Sequence, residues 1–296
     1  MARFSPRLFF CFLLMPAFAA FGSPAASGRQ DQNRARLERI LAKSGEYCER
    51  LKAVALHFVC RESIKETVFE LRSFPTLRSS NSGMRIGRDL TTRRQAPHSF
   101  VYEYQMIKRD GNPDEQRCLI MEDGRPRDEK NATLKTSRLT SKFLVYGPVG
   151  FLSRAWQPHF DYEFLGTERL MGKRAAILRA APRDTAEENR SAGRLWIDEA
   201  DGSVLRIEWE PSSILDYTET AATSVGDFKR EVVWRTQYGE VKNGIRFPSG
   251  QTIREYYRTG AGLKRTRYEA DYTYDKFRFF TVETEIIYDP GDSSHE

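Results

Sequence analysis

Histidine, cysteine and clustered carboxylates are the residue types through which this chain could do chemistry, and their spacing argues against it. His57, His98, His159 and His295 stand far from one another in the sequence. Neither an H-E-x-x-H nor a C-x-x-C spacing occurs, so no zinc site is expected. A nucleophile elbow and a G-x-x-x-x-G-K phosphate loop are both missing, and Gly260-Ala261-Gly262 does not extend into a dinucleotide fingerprint. Asp198, Glu199 and Asp201 are the best carboxylate cluster. A metal or an acid–base pair could use them, but Asp201-Gly202 reads more simply as the turn of a hairpin between Leu195–Asp198 and Val204–Trp209. The expectation is a protein without catalytic residues, metal ligands or cofactor.

The cysteines speak instead to compartment. Arg3 and Arg7 precede an apolar run of 13 residues, Leu8 to Ala20, and small residues follow. This is the pattern of a secretory leader, here taken as residues 1–27, and the run is too short to span a bilayer stably. Ala17-Phe18-Ala19 and Ser23-Pro24-Ala25 are both possible cleavage sites. Cys48, Cys60 and Cys118 remain after cleavage. Export favours one disulfide among three possible pairings, and Cys48–Cys60 is the preferred one. A continuous helix would hold those two about 18 Å apart, so a helix must end between them and a strand turn back.

The net charge of +6 falls to +4 when Arg3 and Arg7 leave with the leader. Basic and acidic residues are interspersed, which suits solubility and not a nucleic-acid groove.

The elements behind these residues are mostly strands. Leu37, Ile40, Leu41, Tyr47, Leu51, Val54 and Ala55 recur at helical spacing and predict a helix over 29–55, with Gly45 weakening its middle. Phe58 to Leu71 reads as a strand, and the arginine-rich 73–97 as a long solvated connection. From His98 onward the period is two: Phe100, Tyr102, Tyr104 and Met106 share one face, and a return strand runs to Met121. The same alternation marks Leu205/Ile207/Trp209, Phe228/Val232/Trp234/Tyr238, Tyr268/Tyr272/Tyr274 and Val282/Thr284/Ile286/Tyr288. Weaker runs lie near 160–182, 194–199 and 245–258. Residues 147–160, with Val149, Phe151, Leu152 and Trp156 between glycines and prolines, are either a core-capping helix or a lid.

About ten strands without crossover helices make a mainly β (α+β) protein. The expected architecture is a curled antiparallel sheet, or open half-barrel, in a single domain over 28–296. The N-terminal helix covers its concave face, and what it leaves bare is open to a ligand. The side chains such a ligand would touch are Phe100, Tyr102, Tyr104, Trp209, Trp234 and Tyr272, with Phe151 and Trp156 as lid. Packed on one another, the same residues would make an ordinary core.

One stretch has a familiar cadence. Gly166, Glu168 and Gly172-Lys173 lead into a strand through Leu178 to Pro182. Leu195-Trp196-Ile197-Asp198 follows, then the Asp201-Gly202 turn and Val204–Glu208, and Asn243–Pro248 opens another strand. This resembles the LolA/LolB-like superfamily of bacterial lipoprotein-sorting proteins, which includes RseB-like regulators. The resemblance implies an open half-barrel with a helical lid, exported to the periplasm as a soluble or peripheral protein. Its partner would be an apolar ligand such as a lipid or acyl chain. Alternatively, it is a regulatory module docking on an envelope or inner-membrane protein. The resemblance brings no catalytic residue.

Overall fold

The computed structural model describes residues 24–56, 58–80, 83–109, 112–137, 144–183, 191–210, 224–225, 228–258 and 262–280. Residues 1–23 of the leader and the alternating run Val282–Tyr288 fall outside them.

The helical periodicity becomes α1 (Pro24–Val54), and the strand after it is β1 (Phe58–Ser80). Then come β2 (Gly83–Arg94), β3 (His98–Arg109), β4 (Asn112–Glu122) and β5 (Arg125–Lys130). A short helix, α2 (Gly147–Leu152), precedes β6 (Phe160–Leu170), β7 (Lys173–Pro182), β8 (Gly193–Asp198) and β9 (Val204–Trp209). The chain continues through β10 (Ser224–Val225), β11 (Phe228–Gln237), β12 (Glu240–Lys242), β13 (Ile245–Phe247), β14 (Gly250–Arg258) and β15 (Lys264–Phe279).

Eleven of these strands form one sheet in the order β5-β4-β3-β1-β15-β14-β11-β9-β8-β7-β6, with β10 beside β11 and β2 beside β1. Every pairing is antiparallel, as expected where hairpins and not crossover helices join the strands. The ends of the sheet, β5 and β6, do not pair with each other, so the sheet is open. The first and last long strands meet at its centre, where Ile64 faces Tyr272 and Val68 faces Tyr268.

α1 lies against the inner face. Ile40, Tyr47, Cys48, Leu51 and Ala55 are buried there, a helical stripe matching the predicted one. Tyr47 receives a hydrogen bond from the Arg246 backbone N–H at 2.9 Å, and Lys43 donates to the carbonyls of Glu199 and Ala200. The helix comes so close to the β8–β9 turn that only glycine fits at 202. A Cβ there would stand 2.5 Å from the Lys43 carbonyl carbon, and the backbone has φ of +75°. Gly45 serves a similar purpose: a Cβ would press on Arg154 Cγ at 3.0 Å, where the segment after α2 closes on the helix. Gln157 holds that segment by donating to the Leu41 carbonyl at 2.8 Å and the Leu152 carbonyl at 2.7 Å.

The structure corrects three expectations. Residues 73–94 are not a loop: β1 runs on to Ser80 and pairs with β2 in unbroken register from Phe69↔Arg94 to Ser80↔Gly83. The described side chains from Arg72 onward are mostly exposed, and so the apolar pattern that reveals a half-buried strand is thin there. Cys48 and Cys60 are not bridged: all three described cysteines are free thiols. The Cys48 sulfur turns toward α2 and donates to the Pro148 carbonyl at 3.5 Å, while Cys60 sits on the inner face of β1 opposite Tyr104. Burial pushes both thiols up, Cys48 to about 12. Leu205, finally, does not share a face with Ile207. The β8–β9 register slips between Trp196 and Ile197, and Leu205 packs with Ala175 and Trp196 in a small cluster of its own.

Candidate ligand-binding face

The inner face divides into two regions of different chemistry. The first is built from β6 to β9 and is aliphatic. Ala176, Leu178 and Ala180 of β7, Leu195 and Ile197 of β8, and Val204 and Ile207 of β9 are all buried. Its strands alternate because one face is packed and the other wet. α2 closes over this region with Val149, Phe151 and Leu152, and the Phe151 ring lies 5.5 Å from Phe160 and 5.4 Å from Trp209. Of the two readings of 147–160, the core-capping helix is the one observed for 147–152. Trp209 fixes its indole by donating to Thr236 Oγ1 at 2.9 Å, and Thr236 donates on to Gln251 at 3.0 Å.

The second region is built from β4, β3, β1, β15 and β14. Its inner face carries Phe100, Tyr102, Tyr104 and Met106 from β3, and Tyr268, Ala270, Tyr272 and Tyr274 from β15. Charge is interleaved among these rings. Arg117 of β4 reaches Glu62 of β1 through Nε at 2.7 Å and Nη2 at 3.3 Å, and Glu115 through Nη1 at 3.0 Å. Its guanidinium also stacks over the Tyr104 ring at 4.8 Å. Tyr104 donates to Glu115 at 2.7 Å and Tyr274 donates to Glu62 at 2.9 Å. Further along β1, Glu66 accepts from the Tyr268 hydroxyl at 2.9 Å. A second ion pair, Arg230 to Glu255 at 2.8 Å, is buried between β11 and β14.

The electrostatics follow from burial. Water is excluded, so an unpaired charge would be very costly, and each carboxylate here is met by a donor. Burial disfavours the Arg117 charge, but Glu62 and Glu115 outweigh it and hold the guanidinium well above its ordinary range. The phenols respond the same way. Burial, with the neighbouring carboxylates, drives Tyr104 and Tyr274 well above 10, and Tyr102 is pushed up to about 12.

This region is covered by extended chain, residues 131–137, and not by a helix. The Ala132 backbone N–H donates to the Arg117 carbonyl at 2.9 Å, Lys135 N–H to the Tyr102 hydroxyl at 3.2 Å, and Ser137 to Glu66 through N at 3.1 Å and Oγ at 3.2 Å. A cleft of about 200 Å³ lies on the opposite, outer face of the same strands, where Val59, Glu103, Gln105, Gln116 and Cys118 line it beside Tyr104 and Arg117.

Most of the aromatic residues singled out in the sequence come together as one lining. Phe100, Tyr102, Tyr104 and Tyr272 lie in the tyrosine-rich region, Trp234 on β11 between the two regions, and Phe151 and Trp209 in the aliphatic one. Trp156 lies apart: it is 42% exposed, with its ring 5.6 Å from His159. The sequence reading missed Glu62, Glu66, Glu115 and Arg117. A signal existed for all four. Glu62 and Glu66 have the same parity as Phe58, Cys60 and Ile64, and Glu115 and Arg117 the same parity as Leu119, so each was bound to face the core with its apolar neighbours. Among the described residues, no three or more His, Cys, Asp or Glu side chains group to hold a metal ion.

No family model matches the chain, and no curated protein matches it. Solved structures do resemble it at a distance. A DUF1329 family protein from Desulfovibrio piger is 12% identical, with 82% of this chain and 95% of that one covered and a TM-score of 0.34. A LolA superfamily protein from Nitrosomonas europaea is 12% identical over 80% and 94%, with a TM-score of 0.30. MucB, in the MucA/MucB complex of Pseudomonas aeruginosa, is 11% identical over 81% and 99%, with a TM-score of 0.22. The functional reading below rests on this chain's own residues.

Proposed function

We propose that this is a non-enzymatic binding protein of the cell envelope, a carrier or sensor of an acylated ligand. In this reading a cleaved leader sends a single half-barrel domain to the periplasm. The observation that carries it is the pairing of surfaces on one inner face. An aliphatic region under α2 suits an acyl chain. The adjoining tyrosine–carboxylate–arginine region suits the polar group to which that chain is attached. The first lies under α1 and α2 and the second under the extended residues 131–137, and neither under a second sheet. Binding sites of this kind combine a mostly apolar wall with a few convergent polar groups. The lining would be Phe100, Tyr102, Tyr104, Trp209, Trp234 and Tyr272, with Phe151 moving as α2 lifts.

Native mass spectrometry on protein recovered from the envelope fraction, with parallel solvent extraction, tests the reading. Extra mass resolving to an acylated species is the expected result. A clean mass that persists after soaking with fatty acid and phospholipid would mean that the inner face is simply core, and the carrier reading would fall.

A second reading, a regulatory module docking on an envelope protein, draws on β6. Among the described residues this 11-residue strand is paired on one side only, by β7, and so offers an edge for an added strand.

A further inference from the structure

The β1–β2 ribbon has no place in a carrier's binding face, yet it is the longest feature that leaves the sheet. β15 accompanies β1 only as far as Val68, and β3 only as far as Glu66. Beyond that, β2 is its one partner among the described residues, through the twelve pairs from Phe69↔Arg94 to Ser80↔Gly83. The base is fastened: Arg267 donates to the Phe69 carbonyl at 2.6 Å and Gln95 N–H to the Val68 carbonyl at 3.0 Å. Twelve residues of strand extend roughly 40 Å. A lone two-stranded ribbon of this kind is marginal in water.

Its distal half exposes apolar side chains instead of hiding them. Leu77 pairs directly with Ile86, and Met84 lies two residues on along the same face. They are 69%, 79% and 71% exposed. The ribbon is also strongly basic. Residues 69–94 hold six arginines, at 72, 78, 85, 88, 93 and 94, against only Glu70 and Asp89. That excess of four is most of the chain's net +6. Register places positions 88 and 94 on the same face as Leu77 and Ile86, toward the base.

We infer that the distal half of this ribbon docks on an anionic lipid bilayer, with Leu77, Met84 and Ile86 at the level of the acyl boundary and the arginines among the headgroups. Three apolar side chains are too few for a standard protein interface, which needs about 800 Å² per partner. A bilayer surface needs only a small apolar insertion reinforced by charge, because each basic residue near anionic lipid adds its own attraction. The single sign of the charge fits a phosphate-rich surface. This inference does not depend on what the inner face binds.

Co-sedimentation of the chain with vesicles tests it, using phosphatidylcholine alone and phosphatidylcholine mixed with phosphatidylglycerol. The apolar N-terminal run is common to every variant, so differences between variants report the ribbon. Binding to the mixed vesicles is expected to weaken roughly tenfold or more in L77D/I86D, since a charge replaces each inserted side chain. R85S/R88S, in the distal half, should weaken it less and reduce its sensitivity to salt. Far-UV circular dichroism checks that each variant keeps its sheet, and M84S/I86S is the milder readout where L77D/I86D does not. Failure of the parent chain to bind the mixed vesicles would overturn the inference. So would binding unchanged in the tip variants, or a tip-dependent partner in envelope extract that proves to be protein without lipid. None of these results touches the mass measurement on the inner face.

Discussion

The two regions of the inner face are packed by opposite means. In the region from β6 to β9, Leu178, Leu195, Ile197 and Ile207 pack against a helix whose own apolar stripe is complementary. Nothing there must be aimed, because dispersion and water exclusion have no direction. In the region from β4 to β14, Glu62, Glu66, Glu115 and Arg117 must each meet a partner within hydrogen-bond distance. Such a network adds little net stability over an apolar core of the same volume, but a slipped register would leave charges buried and unpaired. The aliphatic region supplies adhesion, and the polar region specifies which strands sit beside which. β1, which leaves the sheet as a ribbon, is the strand that carries two of the buried carboxylates.

The contrast can be broken most forcefully at Arg117. Arg117→Met keeps bulk but strands Glu62 and Glu115 without their cation. The expected loss is about 3–5 kcal/mol, read as a lower urea midpoint. The matching test in the aliphatic region is Leu178→Ala, which leaves a cavity and costs about 2–5 kcal/mol. The two variants should differ in kind. Arg117→Met should weaken amide protection along β1, β3 and β4, and Leu178→Ala along β7 and β8. Equal loss of protection in both places would erase the distinction between the regions.

Gly202→Ala comes next. The added methyl meets the backbone of α1 in a left-handed conformation, so the helix must shift off the β8–β9 turn. A loss of about 2 kcal/mol is expected, visible as a lower melting temperature. Alkali should act chiefly on the tyrosine-rich region. The Tyr102 phenol is held up to about 12 against 10 in the unfolded chain. Its contribution is therefore complete below pH 10 and is lost as the pH rises from 10 toward 12, because the unfolded chain releases the proton first. Tyr104, Tyr272 and Tyr274, driven well above 10 by burial, act in the same direction. Phenolate absorbance should rise together with loss of tertiary circular dichroism. A rise that precedes unfolding would mean the rings are solvated.

Much of this was legible beforehand, for a physical reason. Strands with one packed face must alternate, so β3, β9, β11 and β15 announced themselves, as did the helical stripe of α1. The ribbon did not, because strands without a packed face need no alternation. At Leu77 and Ile86 the apolar residues face outward. Glu62 and Glu66 passed unmarked although their parity placed them inside, because hydropathy alone cannot register a partner 55 residues away in sequence, such as Arg117 for Glu62. Compartment chemistry suggested a Cys48–Cys60 bridge. It could not foresee that Cys48 would turn to the Pro148 carbonyl.

The smallest effect is expected at the cover. Tyr102 accepts one hydrogen bond, from Lys135 N–H at 3.2 Å, and Tyr102→Phe removes only that acceptor. The ring stays in place, so global stability should fall by about 1 kcal/mol or less. Residues 131–137 should feel it far more, since they hold the tyrosine region through so few bonds. Amide exchange at Lys135 and Ser137 is therefore expected to speed up while Leu178 and Ile197, under the helices, keep their protection. That outcome would make 131–137 a cover that opens by itself, with the polar half of the inner face reachable while the aliphatic half stays shut. A uniform change across both regions would instead make cover and sheet one cooperative unit, and any ligand would have to enter under α2.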